Sequence, residues 1–146
     1  MFHASPRKPR GIATVEMALL MPLCLIVLFG IMQGVQLIAA RELLDNATRE
    51  AARRAAVGTN TLTTADIQSV LANCYAGGTA APGLTVLVYQ ADPTTGRNIG
   101  AWTSAGRGAC IGVEATDNFT LGLVPFGIFP STVTLHAKSV VYSEGN

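Results

Sequence analysis

From Met17 to Ala40 the chain carries no charged residue, and only two Gly, one Pro and two Gln interrupt an otherwise apolar run. At ~1.5 Å per helical residue, these 24 positions span about 36 Å, enough to cross a hydrocarbon core of about 30 Å. Beyond Ala40 the apolar surface narrows but does not end. Ala40, Leu44, Ala47, Ala51 and Ala55 recur at spacings of four and three, a small-residue stripe on one helix face. Asp45–Arg49 and Glu50–Arg54 are i,i+4 pairs in the favourable order. Gly58 supplies a stop. The pattern predicts one helix of about 45 residues from Ile12, about 65–70 Å long, whose first half spans a membrane and whose second half packs a domain. A long alanine face reads as a packing surface before a recognition surface.

The rest of the chain changes period. Thr59 to Leu62 is a linker. Thr63-Thr64-Ala65-Asp66 has the form of a capping box, followed by Ile67, Val70, Leu71 and Cys74 at helical spacing. Cys74 is thus expected on the apolar face. Gly77 to Gly83 is turn-rich. Leu84–Gln90 is rich in strand formers, Asp92 to Gly96 has turn chemistry, and Asn98–Thr103 is the expected hairpin partner. Ala109–Thr116 and Phe119–Val124 read as two further strands. A loop through Pro125, Gly127 and Pro130 leads to a last strand in which Val133, Leu135 and Ala137 alternate, reaching Tyr142. The expected fold class is α+β: a long N-terminal transmembrane helix continuing into a small exported domain with a meandering antiparallel sheet.

Charge orients this arrangement. Arg7, Lys8 and Arg10 precede the span and place the N-terminus in the cytoplasm. Arg41, Arg49, Arg53 and Arg54 on the other side run against that rule, and Glu42, Asp45 and Glu50 offset their charge locally. A secretory signal peptide fits less well: the apolar run is too long and no small-x-small site follows it before Gln33. The formal net charge is +1. Without residues 1–11, Lys and Arg fall from ten to seven against nine acids. No basic patch beyond the leader and one helix stripe points to nucleic acid.

One carboxylate, Glu16, stands at the edge of the span, five positions after Gly11. A basic leader, Gly11, four residues, Glu16 and then an apolar run together resemble a type IV prepilin cleavage signal. The resemblance implies that a prepilin peptidase cuts between Gly11 and Ile12, leaving Glu16 as the fifth residue of the mature chain. Its carboxylate then pairs with the new α-ammonium of a neighbouring subunit, an attraction that low dielectric strengthens. The resemblance narrows to the TadE-like pseudopilins of the tight-adherence (Flp) pilus. It is carried by Gly11, Val15, Glu16, Pro22, Phe29, Gly30 and the Ala/Arg/Glu-rich Asn46–Gly58, with a closing segment from Phe119 to Glu144 that is also similar. Residues from about 60 to 115 lie outside it. Met17 follows the glutamate where the major pilins of that system usually carry Tyr, and the chain is far longer than theirs. The implied role is a minor pilin needed for assembly or priming of the pilus. Implied partners are the peptidase, other minor pseudopilins and pilus subunits, the inner-membrane assembly platform and the lipid bilayer. The implied location is the inner membrane, single-pass, with the C-terminal domain periplasmic, or the cell-surface pilus itself. The corresponding divisions are a leader, 1–11, an extended helix, 12–58, and an exported domain, 59–146.

Inside the span, Pro22 removes a hydrogen bond to Ala18 and is expected to kink or locally melt the helix. Gly30 and Gly34 form a small-x-x-x-small pair that lets helices approach closely. Gln33 and Gln36 are better bonded to protein than left facing lipid. Of three cysteines, Cys24 lies in the span, while Cys74 and Cys110 form a candidate disulfide in an oxidising periplasm. That bridge would close about 36 residues and contribute about 3–4 kcal/mol in the chain-entropy picture. The alternative is two buried thiols. Catalytic chemistry is not visible: His136 is alone outside the leader, no zinc-ligand spacing or phosphate-binding loop occurs, and no cofactor or metal is implied. The rival reading is an uncleaved membrane-anchored periplasmic binding module.

Overall fold

The computed structural model describes residues 10–59, 61–77, 83–121 and 131–144, with side chains from residue 13 onward. The fold is α+β. Helix α1, Arg10–Val57, runs 48 residues without interruption. Its distal part carries a second helix, α2, Thr64–Ala76, and a four-stranded sheet.

Each boundary has a local cause. At the end of α1, the Gly58 N–H donates to the Arg54 carbonyl at 2.9 Å. Leu62 folds back over Gly58 so closely that a Cβ there would overlap its side chain. Glycine is needed for that approach, not for an unusual backbone angle. Helix α2 starts with the predicted reciprocal capping box between Thr63 and Asp66, and ends at Gly77 in the left-handed region, φ 62°. Asp66 is held below the usual carboxylate range by the Thr63 backbone and hydroxyl bonds.

The strands are β1 (Thr85–Ala91), β2 (Asn98–Gly100), β3 (Cys110–Thr120) and β4 (Thr132–Tyr142). All pairings are antiparallel, in the order β2-β1-β3-β4. This is not a simple meander. After the β1–β2 hairpin the chain makes a short 3₁₀ turn, Trp102–Ser104, and returns to the other side of β1. The turn replaces the end of the expected 98–103 strand. Trp102 is buried there and its indole N–H donates to Thr64 Oγ1 at 3.0 Å, tying the turn to the start of α2. The expected strands 109–116 and 119–124 are one strand as far as Thr120, because Asp117 and Asn118 continue the ladder opposite Leu135 and Thr134. Residues 122–130, which hold the expected Pro125–Pro130 loop, lie outside the described residues, as does most of the 77–83 loop.

The inner face of the sheet packs on the alanine stripe of α1. Leu44, Ala51, Ala55, Ile67, Leu71, Ile111 and Val113 are fully buried in one cluster, with Ala40, Ala47, Leu135 and Ala137 nearly so. The small residues matter because they let the sheet approach the helix backbone. The outer face is polar. Tyr89 lies across Gly112 so closely that any side chain at 112 would overlap its ring. Its hydroxyl donates to Glu114 Oε1 at 2.7 Å, and Lys138 Nζ meets the same oxygen at 2.9 Å. His136 Nδ1 lies 3.1 Å from Thr116 Oγ1. At the far end, the Glu144 N–H donates to the Ala56 carbonyl at 3.1 Å and pins the C-terminal segment to the end of α1.

Candidate assembly interface

The first half of α1 has no domain around it. Its most apolar window has a mean hydropathy of 2.4 and none of it is buried within the molecule. Val15, Leu19, Leu23, Leu28 and Ile31 all keep more than half of their surface exposed. A soluble chain rarely leaves such a contiguous apolar surface bare. Lipid or other helices are the environment that this surface fits, and the helix anchors the chain in a membrane as a single pass.

Gly11 and Ile12 sit in the first turn of α1, which begins at Arg10 and so includes the last two residues of the expected leader. Residues 1–9 lie outside the described residues. Glu16 is exposed one turn further along, and no hydrogen bond or ion pair holds it among the described residues. Pro22 is inside a helix that continues through it. The expected local melting does not occur: one missing bond is a small part of a 48-residue helix, and the turns on either side hold the backbone.

Gly30 and Gly34 have nothing within 4 Å of where a Cβ would stand. Neither glycine is therefore demanded by packing among the described residues. Each still costs about 1 kcal/mol of helix propensity relative to alanine. Gln36 is exposed. Gln33, by contrast, is buried at 7% exposure, and its Nε2 has no hydrogen-bond partner among the described residues.

The cysteines do not come together. Cys74 and Cys110 are both free thiols. Cys110 is buried on the outer sheet face beside Tyr89 and Ala91, while α2 packs with the inner face. Cys74 is exposed, against expectation. In the last turn of α2 the inward position passes to Tyr75, whose hydroxyl donates to Asp117 Oδ2 at 2.7 Å. Burial first, and the bond to Asp117 second, push the Tyr75 hydroxyl pKa up. The Trp102–Thr64 and Tyr75–Asp117 bonds were not legible, since they join residues 38 and 42 positions apart.

The TadE-like protein family model matches residues 11–53. The N-terminal segment is TadE-like. The match begins at Gly11, covers Glu16, Pro22, Gly30 and Gly34, and stops four residues before α1 ends. The match covers 43 of the chain's 146 residues, so the similarity is that of this segment alone. No curated protein and no solved structure matches the chain. The TadE-like segment thus coincides with the bare half of α1 and most of its alanine stripe, and the sheet lies outside it.

Proposed function

We propose that this chain is a minor pilin or pseudopilin, a structural subunit that assembles or primes a tight-adherence pilus after a prepilin peptidase cuts between Gly11 and Ile12. The observation that carries this reading is Glu16: an exposed carboxylate without a partner among the described residues, at the start of a helix whose apolar surface is bare. Within hydrocarbon an unpaired carboxylate is penalised. Cleavage four residues upstream would create an α-ammonium, and a neighbouring subunit's ammonium would satisfy the carboxylate. Gly30 and Gly34, where a Cβ would meet nothing among the described residues, supply close approach for that neighbour. Because the Gly11–Ile12 bond lies in a helical turn of the uncut chain, the peptidase must unwind that turn, which frays at low cost at a helix end. The working parts are then a leader, 1–11, the helix, 12–58, and the exported region, 59–146, with the N-terminus cytoplasmic and the sheet periplasmic. Other minor pseudopilins and the inner-membrane assembly platform are the partners in this reading.

The mature N-terminus tests it. Mass spectrometry of the protein from cells with and without the peptidase should find Ile12 first only when the peptidase is present. An intact leader in both would replace this reading with an uncleaved membrane-anchored binding module.

A further inference from the structure

Helix α1 has two long sides, and the alanine stripe under the sheet is only one of them. Leu28, Met32, Val35 and Ala39 recur at spacings of four and three in the span. Glu42, Asn46, Arg49 and Arg53 continue the same spacing beyond it. All eight are exposed. The spacing runs back to Ala18, so the pattern holds for five heptads. Residues two apart on an α-helix point about 200° from one another. Glu42, Asn46, Arg49 and Arg53 therefore stand opposite buried Ala40, Leu44, Ala47 and Ala51. The domain hangs on one side of α1, and among the described residues nothing covers the other.

A 3.5-residue repeat along a bare helix face is the pattern of a helix–helix seam. A second copy of this chain fits it. Two copies anchored in one bilayer run parallel, and with their bare sides together their domains lie outside the pair. In a parallel seam equivalent heptad positions face each other, so the copies meet level or displaced by whole heptads. Charge decides between these arrangements. Level copies oppose Glu42 to Glu42, Arg49 to Arg49 and Arg53 to Arg53. With one copy raised by a heptad, its Glu42 faces Arg49 of the lower copy and its Asn46 faces Arg53. Raised by two heptads, no acid of the stripe meets a base. Within the chain, none of Glu42, Arg49 and Arg53 belongs to an ion pair among the described residues.

We infer that this side of α1 is a self-recognition seam, through which two copies pack in parallel with one raised by seven residues, about 10 Å, so that its Glu42 pairs with Arg49 of the lower copy. Glu16 and Gly30 each stand two residues from the stripe, on the opposite side, so this contact is separate from theirs. A bilayer opposes the displacement: a core of ~30 Å leaves a span of about 36 Å only about 6 Å of axial freedom. Copies at rest in the membrane sit level with like charges opposed, and the offset pair forms as one copy is raised. That step rests on the pilin reading, in which subunits leave the bilayer; the seam rests only on α1 spanning it.

The test uses the full chain with Cys24, Cys74 and Cys110 replaced by Ala, extracted in dodecylmaltoside, which does not hold two spans level. Two differently tagged copies, one Ala39→Cys and the other Asn46→Cys, are co-expressed and oxidised with copper phenanthroline. The disulfide between positions 39 and 46 should form at least about threefold faster than that between two copies of Asn46→Cys. It should exceed by as much the collision rate of Asn46→Cys with Thr94→Cys. Arg49→Glu in both copies should reduce it to the collision rate, and Glu42→Arg added to Arg49→Glu should restore it. A faster disulfide between two copies of Asn46→Cys would mean level packing and overturn the offset, as would indifference to Arg49→Glu. Bonding of 39 to 46 at the collision rate would overturn the seam. Any of these results with Ile12 as the mature N-terminus would leave the pilin reading standing, whereas an intact leader alongside the fast 39-to-46 bond would remove that reading and keep the seam.

Discussion

Glu16 and Gln33 are two polar side chains in an apolar helix, and their surroundings separate them. Glu16 is exposed; Gln33 is buried. Glu16→Ala should therefore leave membrane insertion intact and impair pilus assembly, read as loss of surface pili with normal protein in the inner-membrane fraction. Insertion and assembly failing together would count against a role in pairing subunits. Gln33→Leu should not weaken the fold, since a buried donor without a partner costs about 1–3 kcal/mol; a lower detergent-solubilised melting temperature would show that the amide is bonded in solution. Tyr75→Phe has the opposite sign. It strips buried Asp117 of its hydroxyl donor and should destabilise by about 1–3 kcal/mol in denaturant unfolding. On the outer face, Glu114 is held below its ordinary range by the Tyr89 hydroxyl first and the Lys138 hydrogen bond next. A lowered folded pKa means that its stabilisation is present above the unfolded value of 4.5 and is lost as pH falls through the folded value. Between pH 4.5 and more acidic solution, the melting temperature of the native protein should fall toward that of Glu114→Gln.

At the scale of elements, the sequence was most legible where one local rule acted alone. The unbroken apolar run, the alanine stripe and the capping box at Thr63 each announced a helix, and each is there. The β1 turn was equally plain, since Asp92 Oδ1 accepts from the Thr94 and Thr95 N–H groups. The errors arose where distant partners decided. Asp117 and Asn118 looked like a strand break, yet Tyr75 and Thr134 meet them across the fold and the strand runs through. Strand order was hidden for the same reason: β3 chooses β1 over the adjacent β2. In the TadE-like segment, Gly11, Glu16, Gly30 and Gly34 were readable as a spacing, whereas the burial of Gln33 needed three dimensions. The glycine pair carries its own prediction. Gly30→Ala with Gly34→Ala should raise helix stability by up to about 1 kcal/mol each, because nothing among the described residues opposes a methyl group there. If those glycines seat a neighbouring helix, the same variant should assemble fewer pili while being the more stable subunit.

The whole molecule is built on one helix shared between two solvents. Gly58 separates elements, but the domain's core does not stop there, since Leu44, Ala47, Ala51 and Ala55 on α1 are buried with Ile67, Leu71, Ile111 and Leu135. A chain beginning at Thr59 lacks the surface on which the sheet's inner face packs. It should show no cooperative unfolding, by circular dichroism, at any detergent concentration. A chain beginning at Ala39 keeps the whole stripe and should unfold cooperatively, with detergent present to cover what the missing span exposed. The difference follows from burial: a Leu removed from a core costs about 2–5 kcal/mol, and the shorter chain loses Leu44 together with the alanines around it. A folded domain from Thr59 would mean that α1 is only a tether. Failure of that chain alongside success of the longer one would mean that movement of the helix carries the sheet with it rigidly, which is what a filament subunit requires if helix packing is to set the position of its exposed face.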